Sequence, residues 1–200
     1  MSEWTQIITI GREYGAGGKT VAKRISQLVG IPCYDRTIIE RTAESSGFTR
    51  EILQSTEGHE AGRSILSWFV PSGVMSSYDR AILAQTRTIR QLAQEGPCVI
   101  VGRGADYVLR DLPNVVNVFL YAETEDKIRY AMETHGESYE QAARRVRQTN
   151  LARESYYHYL TKRKWGNLKN YHISLNSSEV AREVCADMII AYARGKTEKR

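Results

Sequence analysis

The sequence predicts an α/β protein in three layers, an αβα sandwich around a parallel sheet of roughly five strands. Three observations predict it. Short β-branched or apolar runs alternate along the chain with stretches of helical spacing. The run Cys98-Val-Ile-Val101 is continuously apolar, as strands covered on both faces are, and Val115 to Tyr121 reads as another buried strand. The earliest run, Ile7-Ile-Thr-Ile10, enters the glycine-dense loop Gly11-Arg-Glu-Tyr-Gly-Ala-Gly-Gly18, and that loop enters a segment with apolar residues at helical spacing.

This strand, loop and helix organise the rest. A helix N-terminus offers unpaired backbone N–H groups and the positive end of its dipole, so a glycine loop delivered there can wrap a phosphate. Gly15, Ala16, Gly17, Gly18, Lys19 and Thr20 are the candidate binding residues, with Lys19 adding charge and Thr20 a hydroxyl suited to a magnesium ion. The match to G-x-x-x-x-G-K-[ST] is imperfect. Counted back from Lys19, the first glycine falls on Glu13; in a second register the lysine position falls on Gly18 and Lys19 sits one residue late. The bland alternative is a tight turn. The preceding strand, the following helix and the Lys-Thr pair favour phosphate binding over it.

Further elements follow in order. Gly30-Ile31-Pro32 marks a turn before a short strand at 32–34, which ends at Asp35-Arg36. Helices are predicted over 37–43 and from Thr49 onward. Between 57 and 77 the pattern dissolves, yet Trp68-Phe69-Val70 makes this a packed excursion or a partner surface. A helix over 78–95 precedes strand 98–101, which ends at Gly102-Arg103-Gly104, and a short helix over 106–110 precedes strand 115–121. Thr124 reads as the N-cap of a helix over 125–133, and Ser138 with Gln141 reads as a capping box. That next helical region should stop at Trp165-Gly166-Asn167. A last strand at 172–175 and a helix capped by Ser177, over 179 to 193, complete the reading. In parallel sheets ligands collect at the carboxyl ends of the strands, which singles out the glycine loop, Asp35-Arg36 and Gly102-Arg103.

With 200 residues and four prolines, a single domain is expected. Apolar content of 42% and charged content of 26% are those of a soluble globular protein, and neither a bilayer-length apolar run nor a targeting segment is present. A cytoplasmic protein with no membrane partner is therefore expected. Three widely spaced cysteines, Cys33, Cys98 and Cys185, each among apolar residues, predict buried thiols. A net charge of +5, with basic residues crowded between Arg144 and Lys169, suits either phosphate handling or nucleic-acid contact.

Taken together, four stretches resemble the cytidylate kinase-like family, a branch of the nucleoside monophosphate kinases. They are Ile8 to Thr20, Tyr34-Asp-Arg-Thr-Ile-Ile39, Val99-Ile-Val-Gly-Arg-Gly-Ala-Asp106 to Leu109, and Arg153-Glu-Ser-Tyr-Tyr157 leading through Lys164-Trp-Gly166 to Asn176. The resemblance implies a P-loop kinase fold with an acceptor-binding insertion at 36–77 and a helical lid at 136–166. It also implies phosphoryl transfer from ATP, with Mg2+, to a nucleoside monophosphate such as cytidylate. Gly15 to Thr20 would hold the donor phosphates, Arg103 would grip the acceptor phosphate, and Asp35 and Arg36 would begin the acceptor segment. Arg153 matches the arginine of an Asp-x-x-Arg lid motif. Asn150 stands where that aspartate is expected, and Gly18 where the loop lysine is.

Phosphoryl transfer needs alignment and charge neutralisation more than covalent chemistry. Lys19, Arg103, Arg147 and Arg153 are the candidate catalytic cations. Asp35, Arg36, Arg103 and Asp106 are the candidate substrate contacts. Asp35 reads as a functional residue, orienting the acceptor or holding magnesium through water, or equally as a turn residue. Asp106 either pairs with Arg103 or caps the short helix. Arg12 and Glu13 either face the nucleotide or form a local pair, the latter preferred for Glu13. Tyr156, Tyr157 and Tyr159 read as a base-stacking strip or, more commonly at such spacing, as packing. Trp68 and Phe69 would seal the acceptor region or bury against a second copy of the chain, so a homo-oligomer stays open. Nucleotides are the expected partners, ahead of nucleic acid. A nucleotide-binding regulator without turnover and a kinase for another small acceptor are the competing readings.

Overall fold

The computed structural model describes residues 4–35, 37–50, 53 and 76–198. Five strands form one sheet in the order β2-β3-β1-β4-β5. They are β1 (Ile7–Arg12), β2 (Cys33–Tyr34), β3 (Val99–Val101), β4 (Val115–Tyr121) and β5 (Ile173–Asn176), and every pairing is parallel. Parallel pairing places all the carboxyl ends along one edge. The helices are α1 (Gly18–Val29), α2 (Thr37–Ser46), α3 (Ser77–Gln94), α4 (Ala105–Val108), α5 (Thr124–His135), α6 (Tyr139–Thr161) and α7 (Arg182–Glu198).

Period-two alternation sorts the two faces of the sheet. In register, Ile8 lies opposite Val99 and Val116, and Ile10 opposite Val101 and Val118. That row packs against Val21, Ala22 and Ile25 of α1 and Cys185, Ala186 and Ile189 of α7. The reverse face, with Ile7, Ile100 and Val115, packs on Ile89 and Leu92 of α3, Ile38 of α2, and Ala105 and Val108 of α4. Thr9 and Asn117, in register in the sheet centre, satisfy each other with a 2.8 Å hydrogen bond from Thr9 Oγ1 to Asn117 Oδ1. Helices α5 and α6 pair separately through Ile128, Ala131, Ala142 and Val146, with Tyr14 of the glycine loop against them. None of the described helices is long and apolar enough to cross a membrane.

Most predicted elements are present, with three shifted ends. Helix α5 begins at Thr124, so Glu123 occupies the cap position; Ser178 Oγ accepts its amide at 2.9 Å and Asn176 holds its carboxylate at 3.2 Å. Ser177 caps nothing: its hydroxyl and amide both donate to Tyr121 O, prolonging the β4–β5 connection, and α7 starts only at Arg182. Helix α6 stops at Thr161, short of Trp165. Lys162 turns left-handed, and Thr161 Oγ1 donates to Tyr157 O while accepting the Arg163 amide. The capping box of Ser138 and Gln141 is formed. Of the helix expected from Thr49, the Leu53 amide bond to Thr49 O is described. Arg36 and nearly all of the 57–77 excursion lie outside the described residues.

Candidate active site

A cavity of about 500 Å³ opens where the carboxyl ends of β1, β2 and β3 meet α6. Gly15, Gly17, Gly18, Lys19 and Thr20 line it from the first loop, Asp35 from the second, Arg103 from the third and Arg153 from α6. Ala16 lies fully buried behind the loop. Helix α1 begins at Gly18 with Gly17 as a left-handed cap and no side-chain cap. Val21 is its first residue bonded in register, to Gly17 O at 3.0 Å. Helix geometry therefore leaves the amides of Gly18, Lys19 and Thr20 without intrahelical carbonyls, at the residues that line the hollow. This donor set fits a polyphosphate, and the Thr20 hydroxyl with the Asp35 carboxylate fits a hydrated magnesium ion beside it.

Glu13 does not face this space as a free charge. Its carboxylate accepts from Lys127 Nζ at 2.6 Å and from the Ala122 amide at 3.2 Å. The loop is thereby tied to the start of α5, and the local pair weighed for Glu13 is made with Lys127, not with Arg12. Helix α6 ties the loop from the other side. Asn150 and Arg153 are three residues apart and share a helix face. Asn150 Oδ1 accepts from the Tyr14 amide at 2.8 Å, and Arg153 Nη1 donates to Arg12 O at 3.1 Å. The Tyr14 ring stacks edge-on to Tyr130, and its hydroxyl lies 2.8 Å from His135 Nε2.

Arg103 is buried and adopts a left-handed backbone, φ 59°, between Gly102 and Gly104, which are left-handed too. A non-glycine residue there stores of order 1 kcal/mol, and such strain concentrates at functional positions. Its guanidinium donates to Gln85 Oε1 and Leu53 O, both at 3.3 Å, and reaches the cavity wall from below. Asp106 sits behind it, without lining the main cavity. It pairs not with Arg103 but with Tyr157, whose hydroxyl donates to Asp106 Oδ2 at 2.7 Å. Tyr156 Oη donates to Arg103 O at 3.4 Å, and Tyr159 Oη to Asp79. Tyr156 and Tyr157 thus hold α6 to the core, while Tyr159 ties it to the start of α3 at the surface. Arg147 is placed elsewhere: exposed, it lines a second hollow between α5 and α6 with Leu151 and Glu154, and is not brought to the cavity.

Burial pushes the Asp106 carboxyl from its ordinary 3.8 up to about 6, against the hydrogen bond from Tyr157. Between those values the folded state holds a proton that the unfolded state has released. Stability therefore falls as pH rises through that window and levels off above it. Asp106→Asn cannot ionise, yet can still accept from Tyr157. Urea unfolding at pH 4.5 and 7.5 should show the wild type losing about 2 kcal/mol more than the variant; equal slopes would contradict this. Burial also pushes the Cys98 thiol up to about 12; all three cysteines are free, but only Cys98 and Cys185 are buried as expected, Cys33 being half-buried at the edge strand β2.

Lys127, Tyr130 and Arg182 gave no local sequence signal, yet they border the loop. Arg182, 5.4 Å from the Tyr130 ring centre, lies across Gly17.

No curated protein matches the chain significantly. Among solved structures, an uncharacterized protein from Eubacterium ventriosum is 26% identical, with a TM-score of 0.72 over 94% of this chain and 98% of its own. A shikimate kinase from Acinetobacter baumannii aligns over 96% and 95% of the two chains, with 14% identity and a TM-score of 0.55. A deoxyadenosine kinase from M. mycoides aligns over 94% and 100%, with 13% identity and a TM-score of 0.51. The last two likenesses show a common P-loop kinase fold. The model of the cytidylate kinase-like family matches residues 7–179, which include the glycine loop, Arg103 and Arg153. The chain belongs to the cytidylate kinase-like family.

Proposed function

We propose that the protein transfers a phosphoryl group from ATP, with Mg2+, to a nucleoside monophosphate, with a cytidylate-like acceptor preferred. One observation carries this reading: donor-side amides, Asp35, Arg103 and Arg153 line a single cavity. When bound, ATP supplies the phosphoryl group and Mg2+ neutralises part of its charge. Gly15, Gly17, Gly18, Lys19 and Thr20 bind the donor phosphates through backbone N–H groups, and Lys19 adds charge at the same helix end. Thr20, and Asp35 through water, would hold the ion. Arg103, fixed by Gln85 and Leu53 O, presents a guanidinium suited to bidentate grip of the acceptor phosphate. Arg153 closes the cavity from α6 and excludes water, its orientation set by Arg12 O.

A second reading, a nucleotide-binding regulator without turnover, is favoured by Asn150, whose side-chain oxygen is occupied by the Tyr14 amide. One assay separates the two. Purified protein incubated with ATP, Mg2+ and each nucleoside monophosphate should form ADP with at least one acceptor, a pyrimidine monophosphate foremost. ATP-dependent thermal stabilisation with no ADP across the panel would favour the regulator. ADP formed only with sugar or other hydroxyl acceptors would move the acceptor class.

A further inference from the structure

We propose that Arg12 supplies the cation that grips the terminal phosphates of the donor, in place of the loop lysine that Gly18 replaces; the proposal rests on the reading above and sharpens it. Arg12 is the last residue of β1 and shares the sheet face of Ile8 and Ile10, beneath the start of α1. Its side chain runs under Gly18. A Cβ on Gly18 would stand 2.7 Å from Arg12 Cγ and 2.9 Å from Arg12 Cβ. A lysine at position 18 and Arg12 in this pose are therefore mutually exclusive.

Beyond Gly18 the guanidinium continues across Gly102, where any side chain would collide with Nη1. Glycines at both positions thus clear one trough, and the arginine fills it. The trough leads from the donor loop to the start of the Arg103 turn, and Arg12 lines both the main cavity and the smaller one behind it. Among the described residues Arg12 makes no ion pair, and the neighbouring Glu13 is committed to Lys127. A half-buried guanidinium without a carboxylate, facing a cavity, is built for an anion that arrives from outside. Lys19 is less suited to the terminal phosphates. It lines the same cavity but is exposed and sits one position further along the helix.

Calorimetric titration of Mg–ATP, Mg–ADP and inorganic tripolyphosphate into the full-length protein tests the assignment. Arg12→Gln should weaken ATP and tripolyphosphate at least tenfold, roughly the loss of one charge-assisted contact, and should weaken ADP less. Lys19→Gln should weaken ATP less than Arg12→Gln does. Gly18→Ala keeps the charge but evicts the side chain, and should reproduce the Arg12→Gln loss; it reads the same question if Arg12→Gln fails to fold. Loss in Lys19→Gln with Arg12→Gln and Gly18→Ala binding as wild type would overturn the role of Arg12 while leaving the kinase reading intact. A wild type that binds neither ATP nor tripolyphosphate would overturn both.

Discussion

Glu13→Ala should lower the free energy of unfolding by about 3–5 kcal/mol, the range for removing one partner of a buried ion pair. Lys127 has 8% of its side chain exposed and Glu13 25%, at 2.6 Å, so alanine at 13 strands a buried ammonium. It also removes the acceptor of the Ala122 amide. The double variant Glu13→Ala with Lys127→Met removes both charges and should recover more than half of the loss in chemical denaturation. No recovery would mean that the carboxylate acts through the Ala122 amide instead. The pair matters for function because it fixes the loop to the start of α5.

Removing the Arg103 guanidinium should have the largest effect on transfer. Arg103→Ala is expected to lower kcat/KM for the acceptor by about 100- to 1,000-fold, the scale for losing a preorganised donor to developing charge. Gln85 Oε1 and Leu53 O each lose a donor as well, so a stability loss of about 1–3 kcal/mol should accompany it. Arg103→Lys separates the two effects: it keeps the charge and loses the fork, so activity should stay well below wild type while stability partly returns. Steady-state kinetics beside thermal unfolding reads both. Unchanged kcat/KM in a folded Arg103→Ala protein would remove Arg103 from the site.

Much of this was legible in the chain, for physical reasons that differ by element. The strands could be read because a sheet covered on both faces demands apolar runs such as Val99-Ile-Val101. The glycine loop and Arg103 could be read because glycines flanking a charged residue mark backbone that must turn sharply. The ends of α5 and α7 could not, because residues remote in sequence decide them. Ser178 and Asn176 occupy Glu123, and Tyr121 takes Ser177. Asp106 and Arg103 are close in the chain, which suggested a pair, but the left-handed turn at Arg103 sends its guanidinium to Gln85 and leaves Asp106 to Tyr157. Arg147 shared the basic helix with Arg153, yet six residues along an α-helix is well over a turn and a half, enough to place them on different faces. The misplaced lysine was visible as an anomaly at Gly18. Its meaning required the path of Arg12.

The central claim is that the N-terminus of α1 and its loop form an anion cradle. Backbone amide shifts of ¹⁵N-labelled protein, followed while a non-hydrolysable ATP analogue with Mg2+ is added, test it most directly. The account predicts the largest perturbations at Gly15, Gly17, Gly18, Lys19 and Thr20, with smaller ones at Arg103 and Arg153. Silent loop amides, with the shifts instead on the α5–α6 hollow around Arg147 and Leu151, would contradict it.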